Sequence, residues 1–214
     1  MPKACEATDY TTLKPAEIAL PDRLPLMGAV IGPRPVVVIT TVGPDGIVNA
    51  GAYSNYMGVS SEPVLVCFAL GRRNGEEKDT LRNIKANSEF VVNNASSVMA
   101  EGVHKTAVDF SPERSEIPFA GLHTLPSEIV HAQRIAESPI QLECRLHKLV
   151  ELGEPEPTNT IVIGEVVRIH VRKDLITADG KVRGEGWDAL GGIGDAYVTM
   201  GEVFELPYPE APAE

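Results

Sequence analysis

The chain has 214 residues, 43% of them hydrophobic and 23% charged, with a formal net charge of -11. That length and composition describe a globular protein able to bury one substantial core, and exclude a disordered or fibrous chain. The acidic surplus argues against nucleic-acid binding, which needs clustered Lys and Arg, and requires any anionic ligand to be gripped locally by oriented donors.

In chain order, residues 1–30 are punctuated by Pro15, Pro21 and Pro25 and read as a leader wrapped on a body that spans residues 31–214. Nothing in them has the basic-then-apolar order of a signal peptide, and no run in the chain reaches membrane-spanning length. Pro33-Arg34-Pro35 imposes an extended backbone. VVVIT is short and β-branched, as expected of a buried strand. GPDG is a turn signal. A second strand, VNAGAYSNYM, carries a run of small residues where backbone or ligand can approach closely; a glycine bulge is the structural alternative. PVLVCFAL reads as a third strand. Residues 76–87 change period, with Leu81 and Ile84 three apart among charges, which predicts a short amphipathic helix capped by Asp79. EFVVNN returns to strand, and residues 96–105 suit another short helix. Residues 111–139 form a proline-punctuated excursion. IQLECRLHKLVEL and TIVIGEVVRIHVR are long strand candidates joined by GEPEPTN, and pair as an antiparallel hairpin. In the first, Leu142, Cys144 and Leu146 alternate with Gln141, Glu143 and Arg145, predicting one face in and one face out. Residues 174–196 are a glycine-rich loop. Many strands, few helices and no βαβα rhythm predict an antiparallel barrel of about six strands. No GxGxxG follows the first strand, so no Rossmann nucleotide site is expected.

Of three cysteines, Cys67 and Cys144 fall in apolar runs and read as buried, inert thiols, while Cys5 lies on the polar leader. An odd count with no signal peptide fits a reducing cytoplasm. The histidines have no ligand spacing, so no metal is assigned. No Ser-His-Asp or Cys-His arrangement stands out, so no catalytic side chain is assigned either. At Lys78-Asp79-Thr80, local sequence favours Asp79 as a cap with Lys78 solvated. The competing reading is a phosphate on the helix N-terminus, with Lys78 as cation and Thr80 as donor.

RPVVVITTVGPDGIVNAGAYSNYM, EKDTLRNI, EFVVN, AESPIQLECRLHKLVELGE, IVIGEVVRIHVR and LGGIGDAY occur in the order seen in the flavin reductase-like family, and from Arg34 onward the chain resembles that family. The resemblance implies an FMN-binding split β-barrel with short peripheral helices, built as a homodimer. It places the KDT segment (Lys78, Asp79, Thr80) beside the FMN phosphate and reverses the local reading there. It places Asn49, Ala50, Gly51 and Ala52 along the isoalloxazine and ribityl chain, Ser54 at the phosphate, and Asn55 where relatives carry an aromatic. Ala52 stands where relatives carry proline, which leaves one more backbone donor. Thr41 is the member of the Thr40-Thr41 pair expected in the groove, because neighbours alternate faces. Ala69, Leu70 and Gly71 pass the flavin; Arg72 and Arg73 after them either assist the phosphate or are solvated. His104 either approaches flavin or nicotinamide or sits on a surface helix. Tyr197, after Leu190-Gly191-Gly192, either covers the pocket or packs in the core.

The function this implies is an NAD(P)H-dependent flavin reductase: hydride passes from NADH or NADPH to FMN, and electrons go on to free flavin, oxygen or an acceptor protein. The cofactor itself supplies the redox chemistry. The alternative is a flavoredoxin-like FMN electron carrier with no direct use of NAD(P)H. A pyridoxamine-phosphate-oxidase-like enzyme fits the motif order less well. A plain interaction domain that has lost its site is also open.

Overall fold

The computed structural model describes residues 9–204 and 206, apart from 155 and 157. Cys5 and the first eight residues of the expected leader lie outside the described residues.

The first helix, α1 (Leu20–Val30), precedes the strands β1 (Arg34–Pro35), β2 (Val37–Val42), β3 (Val48–Tyr53), β4 (Tyr56–Ser61) and β5 (Val64–Gly71). Helix α2 (Asp79–Asn87) leads into β6 (Glu89–Asn94), followed by the short helices α3 (Ala100–Lys105) and α4 (Ile117–Ala120). Strands β7 (Thr124–Leu125) and β8 (Arg134–Ile135) form a small ribbon before the long pair β9 (Ile140–Leu152) and β10 (Asn159–Val171), and β11 (Gly191–Ile193) and β12 (Ala196–Val198) close the described chain.

Seven strands form one sheet in the order β3-β2-β6-β9-β10-β5-β4, each pairing antiparallel. Although β3 and β5 are far apart in that order, Tyr53 and Phe68 stack with ring centroids 5.2 Å apart. The sheet therefore curls until its two ends share one core, as a split antiparallel barrel does. That core contains Val37, Ile39, Phe68, Phe90, Val92 and Val162, and Leu81 and Ile84 of α2 join it. The amphipathic spacing of α2 thus finds its apolar partner on the barrel. A second cluster lies on the other face of β2 and β3, where Val36, Val38 and Ala50 meet Met99, Val103, Ile117 and Leu190. Strand β2 is buried on both faces, which is why VVVIT reads as an unbroken apolar run.

Two details differ from the sequence expectation, and the glycine-bulge alternative is removed. The run VNAGAYSNYM is not one strand: the chain breaks at Ser54-Asn55 and crosses from one edge of the sheet, β3, to the other, β4. Gly51 makes no bulge, since β2 and β3 pair in unbroken register from Val37↔Tyr53 to Val42↔Val48. A side chain at Gly51 would come within 3.0 Å of the Tyr53 ring, so this glycine makes room for its neighbour two residues on. Strand β9 is buried on both faces over residues 141–144, because residues 126–135 of the excursion lie across its outer side. There the Glu143 carboxylate accepts the N–H groups of Glu128, Ile129 and Val130 at 2.8, 2.7 and 3.0 Å and pairs with His170 Nε2 at 2.6 Å. Among the thiols, Cys144 is buried as expected, while Cys67 is half-buried. Burial pushes both thiols above their usual range, which keeps them protonated and unreactive.

Candidate functional site

Strand β3 is a free edge of the sheet, and the start of α2 faces it across a cleft of about 350 Å³. The 73–77 turn and residues 106–116 close the other sides.

The sequence brings these walls together through a small hydroxyl and amide network. Thr80 Oγ1 accepts from Asn49 Nδ2 at 3.0 Å and from the Tyr53 hydroxyl at 2.9 Å. Asn49 Nδ2 also reaches Thr41 Oγ1 at 3.2 Å, and Asn83 Nδ2 reaches the same oxygen at 3.1 Å. Residues 49, 51 and 53 share one face of β3 by alternation, so its face and the first turn of α2 are stitched together. Burial, the largest cause, pushes the Tyr53 phenol up to about 12, so it stays a neutral donor.

Lys78 occupies the N-cap of α2, and no side chain caps the helix. The first-turn N–H groups of an uncapped helix need acceptors and carry partial positive charge. Asp79 is the first helical residue rather than the cap, and it forms an ion pair with Arg82. The other cleft cations are also engaged: Arg73 pairs with Asp109, and Arg82 with Asp79. Lys78 alone of the three has no carboxylate within ion-pair distance among the described residues, although the charge of Asp109 acts on it, and its Nζ lies 5.6 Å from the Tyr53 ring centroid. Burial, then the charge of Arg73, lowers its pKa.

The free edge of β3 supplies the second set of donors. Ala50 N–H donates to Glu116 Oε2 at 2.9 Å. Antiparallel ladders alternate, so the N–H of Ala52, two residues on, points the same way, away from β2. Glu116 is buried, and burial raises its pKa, with the Ala50 N–H acting in the opposite direction.

Of the residues picked out from sequence, Asn49, Ala50, Gly51, Ala52, Lys78, Asp79 and Thr80 line this cleft together. Thr41 stands behind Asn49 and is fully buried. Ala69, Leu70 and Gly71 end β5 away from the cleft lining, with Leu70 in the barrel core. Ser54 and Asn55 lie at the strand crossing, with Asn55 beside Arg34. His104 and Tyr197 form a pair of their own, Nδ1 to hydroxyl 3.4 Å and rings edge-on at 6.0 Å. The sequence reading missed Tyr53 and Glu116. Tyr53 was legible in the i, i+2, i+4 spacing with Asn49 and Gly51. Glu116 carries no local signal, because the excursion delivers it from 66 residues away.

Among the described residues no His, Cys, Asp or Glu group has metal-site geometry, and no helix is long and apolar enough to cross a membrane.

Residues 28–186 match the model of the flavin reductase like domain. An uncharacterized protein of Halalkalibacterium halodurans is 37% identical over 86% of this chain and 89% of its own length. Among solved structures, nitrilotriacetate monooxygenase component B from Bacillus cereus is similar at a TM-score of 0.87 and 34% identity, covering 92% of this chain and 98% of that one. The 2-nitrobenzoate 2-nitroreductase NbaA of Pseudomonas fluorescens is similar at 0.84 and 28%, covering 93% and 96%. The fold and the cleft define a flavin-related oxidoreductase built on a split barrel. The chain belongs to the flavin reductase-like family.

Proposed function

We propose that the protein is an FMN-dependent flavin reductase that draws hydride from NADH or NADPH and passes electrons to a flavin, to oxygen or to an acceptor protein. It works as a cytoplasmic homodimer. The observation that carries the reading is the uncapped start of α2, with the unpaired Lys78, set opposite the free edge of β3. The donor set fits FMN. A phosphate needs helix N–H groups and a cation, and a tricyclic ring edge needs backbone donors and acceptors in line. The cleft lies within the roughly 300–1,000 Å³ usual for ligand pockets.

Lys78 and Thr80 hold the phosphate. Asn49, Ala50, Gly51 and Ala52 line the ribityl chain and ring, and Ala52 offers the backbone N–H that proline would have removed. Bound flavin supplies the hydride and electron transfer. The chain's part is orientation: the network through Thr80, Tyr53 and Asn49 fixes the distance between the two walls, and Glu116 holds the strand edge. The apolar stripe Leu20, Leu24 and Met27 on α1, exposed in the single chain, supports the homodimer.

Anaerobic mixing of the FMN-loaded protein with NADH and with NADPH tests the reading. Bleaching of the yellow chromophore within seconds by at least one nucleotide is expected. Reduction by dithionite but by neither nucleotide would make the protein an electron carrier instead, and failure of the pure protein to take up FMN would sink the flavin reading itself.

A further inference from the structure

Among the described residues, Glu116 is the buried carboxylate of the cleft that no cation holds. Of the other acids on the lining, Asp79 pairs with Arg82, Asp109 with Arg73, and Glu77 with Arg72 and Lys85, while Glu76 is exposed. Helix α3, which packs on α4 beside Glu116, offers it no free cation either: Lys105 pairs with Glu101, and His104 meets Tyr197. Arg114, two residues before Glu116, is stacked on the Phe110 ring. Glu116 itself is 6% exposed.

Its place is fixed from two sides. Oε2 accepts the Ala50 N–H at 2.9 Å, and Ile117 and Ala120, next along the chain, pack with Ala50 in the outer core. Desolvation disfavours the charged form of such a carboxyl, and a backbone N–H answers only part of that charge. The pKa of Glu116 is accordingly raised, burial being the largest cause, while the N–H groups of Ala50 and of Glu116 itself and the charge of Arg73 act the other way. Tyr53, on the same strand, is a neutral phenol, and Lys78 stands at the head of α2. The group is thus a protonatable acid on the lining of the ligand cleft, held by the strand that the ring would follow.

We propose that Glu116 balances the charge of the cleft by taking a proton from water when the bound flavin receives hydride, and that it thereby sets how the flavin's reduction potential depends on pH. The inference rests on the flavin reading. Hydride brings two electrons and one proton into the cleft, a net gain of one negative charge. A carboxylate in the same cleft of about 350 Å³ then faces a like charge, which favours its protonated form. The one bond formed at Glu116 is O–H, with the proton drawn from solvent, and reoxidation returns it. A protonated carboxyl keeps an acceptor oxygen for the Ala50 N–H, so β3 stays anchored in both states.

Potentiometric titration of the FMN-loaded wild type, Glu116→Gln and Glu116→Asp over a range of pH tests this. Glutamine keeps the shape and is neutral throughout. At high pH the flavin of Glu116→Gln is expected to be about tenfold easier to reduce than that of wild type, a shift of about +30 mV for a two-electron couple. At low pH, where Glu116 is protonated in both redox states, the two curves are expected to converge. Between those limits wild type takes up one proton more per reduction than Glu116→Gln, and Glu116→Asp retains that extra proton. A purely structural Glu116 would change FMN affinity or melting temperature and leave the curves parallel, so parallel curves in a folded, FMN-binding Glu116→Gln overturn the proposal. Should that variant not fold, the reduced-minus-oxidised infrared spectrum of wild type carries the test. The carbonyl stretch of a carboxylic acid is expected to appear on reduction, to shift in D₂O and to move in Glu116→Asp, and its absence overturns the assignment. A wild type that takes up neither FMN nor riboflavin sinks the flavin reading and the proposal with it, a result distinct from parallel curves in a protein that binds FMN.

Discussion

Lys78 stands half-desolvated at the head of α2 with no carboxylate partner among the described residues, beside Arg73 and Arg82, which are both paired. A bound phosphate would complete its coordination. Lys78→Ala should therefore weaken FMN by about 1–3 kcal/mol, the value of a hydrogen bond to a charged group, and leave riboflavin nearly untouched. Fluorescence titration of both ligands checks this. The pH dependence has a definite sign. Burial lowers the lysine pKa from 10.5, so the cation is lost at a lower pH than for an exposed lysine. FMN affinity should begin to fall there as pH rises, and Lys78→Arg should abolish that fall, because a guanidinium stays charged.

Two strands of the barrel carry their own predictions. In β10, Gly164 faces Phe90 across the barrel interior, and a Cβ there would lie 2.8 Å from Phe90 Cε1 and closer still to Cζ. Phe90 is fully buried and has no room to retreat. Gly164→Ala should cost about 1–3 kcal/mol by overpacking, and Phe90→Leu in the same chain should recover part of it, as read from the paired melting temperatures. In β9, burial raises the pKa of Glu143, but the N–H groups of residues 128–130 and His170 outweigh it and bring the carboxyl down to about 2 from 4.5. A depressed carboxyl stabilises the fold above its unfolded value and ceases to do so as pH falls through the folded one. Wild type should thus lose on the order of 2–3 kcal/mol between pH 4.5 and about 2. Glu143→Gln should lack that component in acid titration, and should start less stable at neutral pH because an amide cannot accept three N–H groups and His170 as a carboxylate does.

At the scale of the whole molecule, the curled sheet leaves α1 on the outside, held to the turn after β11 through Gly194 N–H on the Gly28 carbonyl at 2.8 Å. Leu24 on that helix is 66% exposed. An exposed apolar stripe of this kind marks an interaction surface. Sedimentation should find a dimer, and Leu24→Glu should shift it to monomer with the far-ultraviolet dichroism unchanged. A wild-type monomer at micromolar concentration would remove the homodimer from the proposal.

The strands were legible because β-branched runs, the GPDG turn and the two long C-terminal segments announce themselves locally. The small-residue run Asn49–Ala52 was legible for the same reason, whereas at Lys78–Thr80 local sequence favoured a solvated lysine and only the family pattern pointed to the cleft. What the local pattern misread was burial on the second face of β9. Glu143 alternates as a solvent residue should, and only the loop folded over it turns it into an internal strut. The break at Ser54-Asn55 was hidden likewise, because both halves of VNAGAYSNYM suit a strand and only the closing of the barrel sends them to opposite edges.

By itself, then, the amino-acid order determined which segments are strand-forming, that a short amphipathic helix follows β5, and that the second strand carries a run of small residues. Each of these depends on side-chain chemistry within a few residues. Tertiary structure alone decided that Glu116 would take the Ala50 N–H, and that Lys78 would have no carboxylate within ion-pair distance while Arg73 and Arg82 have theirs. Those outcomes depend on how far a sheet curls and where a long excursion lands, and such long-range closure leaves no trace in neighbouring residues.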